Sequence, residues 1–215
     1  MKKKYLDIWE IENSFYLKSD PTRLKKAICH YEVFKKTKKV PGSIIECGVF
    51  KGTSLVRLLT YRDLLSQKRK KVFGFDPFGK FPTQSILEDN KFALRHDKFS
   101  GLGLKYQKLR KLLLNKKFKN FKLIKGDVIS TLPNFLRKNK NLKISFLHLD
   151  MDVYEPTKFV LQKLFSKVSK NGIVLIDDYN YVKGATKATN EFLKEKNLRI
   201  SKLSFDNRLS FVIKN

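Results

Sequence analysis

The sequence predicts an α/β fold: a doubly wound, mostly parallel sheet of about seven strands, ending in an antiparallel C-terminal hairpin. Three observations carry that expectation. Two short runs, residues 144–149 and 173–176, are predominantly apolar. That is the pattern of strands buried on both faces of a parallel sheet, whereas a half-exposed strand alternates. A pair of aspartates closes each run, Asp150 with Asp152 and Asp177 with Asp178. Strand-like and helix-like segments also alternate five times along the chain, as βα units do.

The elements follow in order. Residues 1–40 read as an N-terminal helical segment. Within it Leu24, Ala27, Ile28, Tyr31 and Phe34 form a stripe at helical spacing, and Asp20-Pro21 opens the second helix. Pro41-Gly42 punctuates the chain before a first strand at 43–49. A turn framed by Gly48 and Gly52 leads into a helix over 53–65, and a second strand over 71–75 ends at Asp76. Residues 77–107 contain Pro77, Gly79, Pro82, Gly101 and Gly103, which points to an irregular lid or acceptor-binding segment. A basic helix follows over 104–114, then a third strand over 121–124 with Gly126-Asp127 at its end and a helix to about Arg137. Helices over 155–168 and 185–194 flank a fifth strand at 172–176. Strands at 199–205 and 209–213, joined by Asp206-Asn207, complete the hairpin. No linker or repeat divides the 215 residues, so one domain with a full core is expected.

With 47 basic and 20 acidic side chains, the formal charge of +27 favours anionic partners. A Lys-rich composition is equally the mark of a solvated surface, since planar recognition of phosphate favours Arg. Cys29 and Cys47 have no metal-type spacing and suggest no disulfide scaffold. Acidic residues Asp7, Glu10 and Glu12 interrupt any leader-like segment, and no run approaches the length of a membrane span. A cytoplasmic setting is expected.

The functional signal lies where strands end, because ligands of open α/β sheets bind beyond the carboxyl ends of the strands. Carboxylates gathered there repel unless a cation or shared protons compensate them, and Mg²⁺ is the simplest hard cation for the task. The segment Glu46 to Ser54 places Gly48 and Gly52 at a tight turn and offers the first N–H groups of a helix to an anionic group. By itself that is equally an ordinary βα connection. Asp76 sits where such folds hold ribose hydroxyls, and Gly126-Asp127 where an adenine edge is read. The dinucleotide pattern G-x-G-x-x-G is absent, whereas E-x-G-x-x-x-G suits S-adenosylmethionine. Glu46 would meet the donor's ammonium or hydrogen-bond a turn. Asp152, two residues after Asp150 in an extended segment, would share its side. His148 is expected to be a packed, hydrogen-bonded core residue, His30 structural, and His96 an exposed loop histidine. Tyr154 and Tyr179 are expected to buttress the crevice.

Taken together, Glu46–Ser54, Gly74–Phe78 with Phe81-Pro82, His148–Thr157, residues 172–179 and Gly184–Ala188 resemble the macrocin O-methyltransferase family of TylF/MycF-type sugar methyltransferases. The resemblance spans residues 42–195 in order. It implies a class I methyltransferase-like (Rossmann-like) fold, S-adenosylmethionine as donor, and Mg²⁺-dependent methylation of a sugar hydroxyl. It further implies Asp150, Asp177 and Asp178 as metal ligands and Asp152 as general base. Glu46, Gly48, Gly52, Thr53, Ser54, Asp76, Phe78, Gly126 and Asp127 would line the donor site. Pro77 and Gly79-Lys80 depart from the family's usual acid-glycine pair at that place, which bears on the acceptor. The expected acceptor is a nucleotide-linked sugar, glycan or glycosylated metabolite, anionic or phosphate-linked, with no stable nucleic-acid complex; a homodimer is compatible. Two rival readings are an RNA methyltransferase and a non-catalytic basic module that binds polyanions.

Overall fold

In the computed structural model, residues 7–206 and 209–215 are described. Two helices, α1 (Ile8–Lys18) and α2 (Thr22–Lys35), precede the sheet. The sheet strands are β1 (Ser43–Cys47), β2 (Val72–Asp76), β3 (Phe121–Lys125), β4 (Ile144–Leu149), β5 (Val168–Ile176) and β6 (Ser210–Ile213). Between them lie α3 (Thr53–Leu64), α4 (Leu87–Ser100), α5 (Tyr106–Asn115), α6 (Val128–Lys138), α7 (Tyr154–Leu164) and α8 (Lys183–Lys196). The strand order is β3-β2-β1-β4-β5-β6, parallel except for the antiparallel β5–β6 pair. The direction of winding reverses between β1 and β4, so the crevice opens at the ends of those two strands.

Side chains alternate across the buried strands and build a core on each face. Ile45, Cys47, Phe75, Leu147, Leu149 and Ile176 pack under α6, α7 and α8. Ile44, Val72, Phe146, Ile173 and Leu175 pack under α2, α3 and α5. The phase of β4 slips between Ile144 and Phe146, where its register with β1 and β5 shifts. Burial of both faces explains the continuous apolar runs.

Three expectations change. The sheet has six strands, not seven: of residues 199–205 only Ser201 pairs, through a single antiparallel bridge to Phe211. Asn207, half of the expected turn dipeptide, lies outside the described residues. The segment 77–107 is about half helical, because α4 occupies residues 87–100 of it. Only Asp89 and Ala93 of α4 are buried, so its sequence lacks the wide apolar stripe that marks a helix. Finally, the buried face of α2 is Cys29, His30, Val33 and Phe34, while Ile28 is half exposed. The helix is rotated from the expected stripe, and that rotation turns Lys26 and His30 toward the strand ends. No helix among the described residues is long and apolar enough to cross a membrane.

Candidate active site

The strand ends are staggered so that the aspartates lie side by side. Asp150 N–H donates to the Cys47 carbonyl at 2.9 Å, and Asp177 N–H donates to the Leu149 carbonyl at 2.9 Å. Each hydrogen bond carries the ladder one step past the strand, delivering a carboxylate to the switch point. Gly48 is required there. It has φ +93°, and a Cβ on it would lie 1.7 Å from the Asp150 carbonyl oxygen. A side chain would push β1 and β4 apart where the carboxylates meet.

Asp150, Asp177 and Asp178 place carboxylate oxygens within 4.8 Å of one another. Asp152 joins them, but not by the extended geometry expected. Its φ is +64°, and Val153 N–H donates to the Met151 carbonyl at 2.7 Å across it. The chain makes a γ-turn centred on Asp152, a conformation costly for a residue other than Gly. Asp152 N–H donates to Asp178 Oδ2 at 3.3 Å, and its carbonyl accepts from Ala185 N–H at 3.0 Å. The strained backbone therefore holds Asp152 toward Asp178 instead of leaving it free to swing.

Electrostatics divide the four acids into two kinds. Burial, with the neighbouring carboxylates, pushes Asp150 and Asp178 well above the usual carboxylate range. Asp152 is raised as well, chiefly by burial, with His96 opposing. Asp177 is held well below the range despite its burial, by His148, His30 and Lys26. Its Oδ2 accepts from Lys26 Nζ, and its Oδ1 lies 3.1 Å from His30 Nε2 and 3.9 Å from His148 Nε2. His148 is fully buried; burial lowers its pKa, but Asp177 and Glu46 outweigh that and bring it to about 10. Burial leads His30 the other way, to about 4. His148 Nδ1 lies 2.9 Å from Glu46 Oε1, so Glu46, His148 and Asp177 form a buried chain behind the cluster.

A hard dication fits this donor set. The three ligand groups are carboxylate oxygens only, and burial and mutual crowding hold two of them above the usual carboxylate range, a cost that a dication would relieve. Neither Asp177 nor Asp178 caps α8, whose N-cap residue Val182 makes no side-chain cap bond.

Beside the cluster lies a cavity lined by Gly48, Phe75, Asp76, Gly126, Asp127, Val128, Asp150, Met151 and Asp152. Asp76 is bound from both sides by backbone: Oδ2 accepts from Val49 N–H at 2.9 Å and Phe50 N–H at 2.7 Å, and Oδ1 from Phe78 N–H at 2.5 Å. The N–H groups of the glycine turn thus go to Asp76, and one carboxylate both shapes the turn and lines the cavity. Asp127 caps α6, accepting from Ile129 N–H at 3.0 Å.

Other expected donor-site residues lie elsewhere. Glu46 is fully buried against His148 and does not line the cavity. Phe78 packs in the core under α5, edge-on to Tyr106. Gly52, Thr53 and Ser54 start α3 outside the cavity lining. Conversely, His96 on α4 does line it, among Phe50, Phe81 and Phe92, and is no exposed loop histidine. The loop before α4 supplies Lys80, Phe81, Pro82, Thr83 and Gln84. It is tied down by Phe81 N–H to Asp97 and by Asp89, whose Oδ2 accepts from Tyr154 N–H at 2.7 Å. Tyr154 and Tyr179 brace α8 through Glu191 and Asn190. His30 is a buried structural residue that reaches Asp177; Lys26 is the member that the sequence reading misses, and a helical phase placing it with Cys29 and Val33 is the available signal.

A second cleft opens on the α2 side, lined by Thr22, Arg23, Lys26, Tyr181 and Leu209 together with Asp177 and Asp178. The aspartates therefore form a wall between two cavities.

The family model described as macrocin O-methyltransferase (TylF) matches residues 22–212. Demethyldecarbamoylnovobiocin O-methyltransferase of Streptomyces niveus is 26% identical over 160 residues, covering 71% of this chain and 58% of that protein. A tetracenomycin-series enzyme of Streptomyces olivaceus, 8-demethyl-8-(2,3-dimethoxy-alpha-L-rhamnosyl)-tetracenomycin-C 4'-O-methyltransferase, is 26% identical over 147 residues, covering 65% of this chain and 54% of that one. The chain thus spans little more than half the length of these curated relatives. Among solved structures, the O-methyltransferase NovP superposes with a TM-score of 0.75 at 22% identity, over 90% of this chain and 79% of that one. The calicheamicin methyltransferase CalS11 gives 0.73 at 20% identity, over 98% and 87%. At these identities the two structures establish the class I methyltransferase fold.

Proposed function

The chain belongs to the macrocin O-methyltransferase family, and from that premise and the geometry of its strand ends we propose that it methylates a hydroxyl of a sugar-containing acceptor. The donor is S-adenosylmethionine, and Mg²⁺ is held by Asp150, Asp177 and Asp178. The observation that carries this reading is the convergence of four aspartates from β4 and β5 beside a cavity that also contains Asp76 and Gly126-Asp127. The rhamnosyl group in the name of the second relative supports a sugar acceptor. The excess of basic side chains supports an anionic or phosphate-linked one.

The donor supplies an electrophilic methyl group, and the cation supplies Lewis acidity that makes a neighbouring hydroxyl easier to ionise. The chain does the rest. Asp76 and Asp127 offer carboxylate oxygens along the donor cavity, and Gly48 lets the backbone approach it closely. Asp152 takes the hydroxyl proton; its raised proton affinity suits a base, and its γ-turn fixes the carboxylate beside the metal ligands. The buried Glu46–His148 pair and His30 keep Asp177 ionised and immobile. The loop over 80–84 and α4, as a lid or acceptor-binding segment, keep water from the reacting atoms. Most of the acceleration comes from holding donor and hydroxyl in line.

Methyl transfer from labelled donor to a panel of sugar nucleotides, glycans and glycosides tests this. Acceptor-dependent incorporation that is lost in EDTA and restored by Mg²⁺ is expected. Incorporation that survives thorough chelation, or no donor binding at all, would overturn the proposal. Label entering bulk RNA with steep salt dependence would favour the RNA methyltransferase alternative, and salt-sensitive polyanion binding without donor affinity the non-catalytic module.

A further inference from the structure

The aspartate cluster already contains a cation of the chain's own. Lys26 reaches it from α2, and its ammonium bonds Asp177 Oδ2, an oxygen of one of the three carboxylates that would hold the metal. Asp150 and Asp178 attract the same ammonium. Lys26 differs from the other two partners of Asp177 in one respect. His30 and His148 are 1% and 0% exposed and wedged in the core, whereas the Lys26 side chain is 37% exposed. It also lines the α2-side cleft, beside Thr22, Arg23 and Tyr181. A lysine has a flexible four-carbon stem and a compact head, so it can leave a carboxylate for an adjoining cleft without moving the helix. An ammonium and a dication on the same carboxylate repel one another across a distance too short for screening.

From this geometry we propose that Lys26 is an exchangeable counter-ion. Its ammonium neutralises the aspartates while no divalent cation is bound, competes with that cation for Asp177, and turns out into the α2-side cleft when the cation enters. The inference rests on the metal reading above and deepens it. Metal loading would place a second positive charge next to Arg23 in the cleft that shares the aspartate wall.

Calorimetric titration of Mg²⁺ into the full chain, for wild type, Lys26→Met and Lys26→Arg, reads the competition directly. Lys26→Met is expected to bind roughly tenfold tighter than wild type, a difference of about 1.4 kcal/mol. Lys26→Arg keeps the charge and stays near wild type or weaker. A companion measurement needs no variant: amine-reactive labelling of the wild-type protein, read by mass spectrometry at Lys26. Labelling is expected to be slow in EDTA and several-fold faster with Mg²⁺. Equal or weaker Mg²⁺ affinity in Lys26→Met, or Lys26 labelling indifferent to Mg²⁺ in a protein that binds it, overturns the proposal while leaving the metal site intact. Absence of Mg²⁺ binding in wild type and both variants overturns the metal reading and this inference with it. If Lys26→Met does not fold, the labelling result alone decides.

Discussion

Asp177 and Asp178 are adjacent, both acidic and both expected on the metal, yet the structure gives them opposite effects on the stability of the metal-free protein. Asp177 is the counter-ion of Lys26 and His148 and accepts from His30. Asp177→Asn leaves the fully buried His148 with Glu46 alone and strips Lys26 of its partner. Breaking a buried pair by removing one member costs about 3–5 kcal/mol. Lys26 is more than a third exposed and contributes little to that sum. Asparagine also keeps an acceptor for His30, so a loss of about 3 kcal/mol is expected, the lower end of that range. For a domain of this size that lowers Tm by roughly 6–12 °C. Asp178 instead is raised by burial and by the crowding of Asp150, Asp152 and Asp177, which outweigh the attraction of Lys26. Asp178→Asn removes like-charge repulsion and is expected to leave Tm unchanged or raise it by a few degrees. Thermal and urea unfolding in EDTA measure both variants. A common direction and size for the two, or an Asp177→Asn change within about 0.5 kcal/mol of wild type, would refute the division of roles.

Other consequences follow from the same geometry. Asp152→Asn is expected to lower methyl transfer by about 10²–10⁴-fold while donor affinity, measured by calorimetry, changes little. Mg²⁺ affinity should fall as pH falls, because Asp150 and Asp178 hold protons more tightly than ordinary carboxylates and the cation must displace them. Titrations in buffers of different ionisation enthalpy should accordingly report net proton release on binding; none would contradict the raised values. Gly48→Ala should cost about 3 kcal/mol or prevent folding, since its Cβ meets the Asp150 carbonyl and its φ is positive; a wild-type unfolding midpoint would contradict the close approach.

The sheet was legible because burial on both faces writes itself into sequence as mainly apolar runs, as in β4 and the second half of β5. The aspartates at their ends were legible for the same reason: once the strands are located, their exits are too. What failed lacks that signal. Helix α4 buries two residues, one of them Asp89, so neither periodicity nor apolar content marks it. The expected strand at 199–205 has β-prone residues but contributes only the Ser201 bridge. Side-chain direction is the least legible feature. A pleated strand would put Asp152 beside Asp150, yet it faces the same cavity through a γ-turn. Glu46 sits in the expected strand, but its register opposite His148 gives it a partner inside the protein. Lys26 has no such signal, because Leu24, Ile28 and Tyr31 mark one helical stripe while the helix buries the face carrying Cys29, His30 and Val33.

The central claim is a divalent cation shared by Asp150, Asp177 and Asp178 at the mouth of the donor cavity. Anomalous diffraction from crystals grown with Mn²⁺ and the demethylated donor tests it most directly. One strong anomalous peak is expected among these three carboxylates, next to the sulfur of the bound donor product. A peak at another place, or none there with the donor site filled, would contradict it.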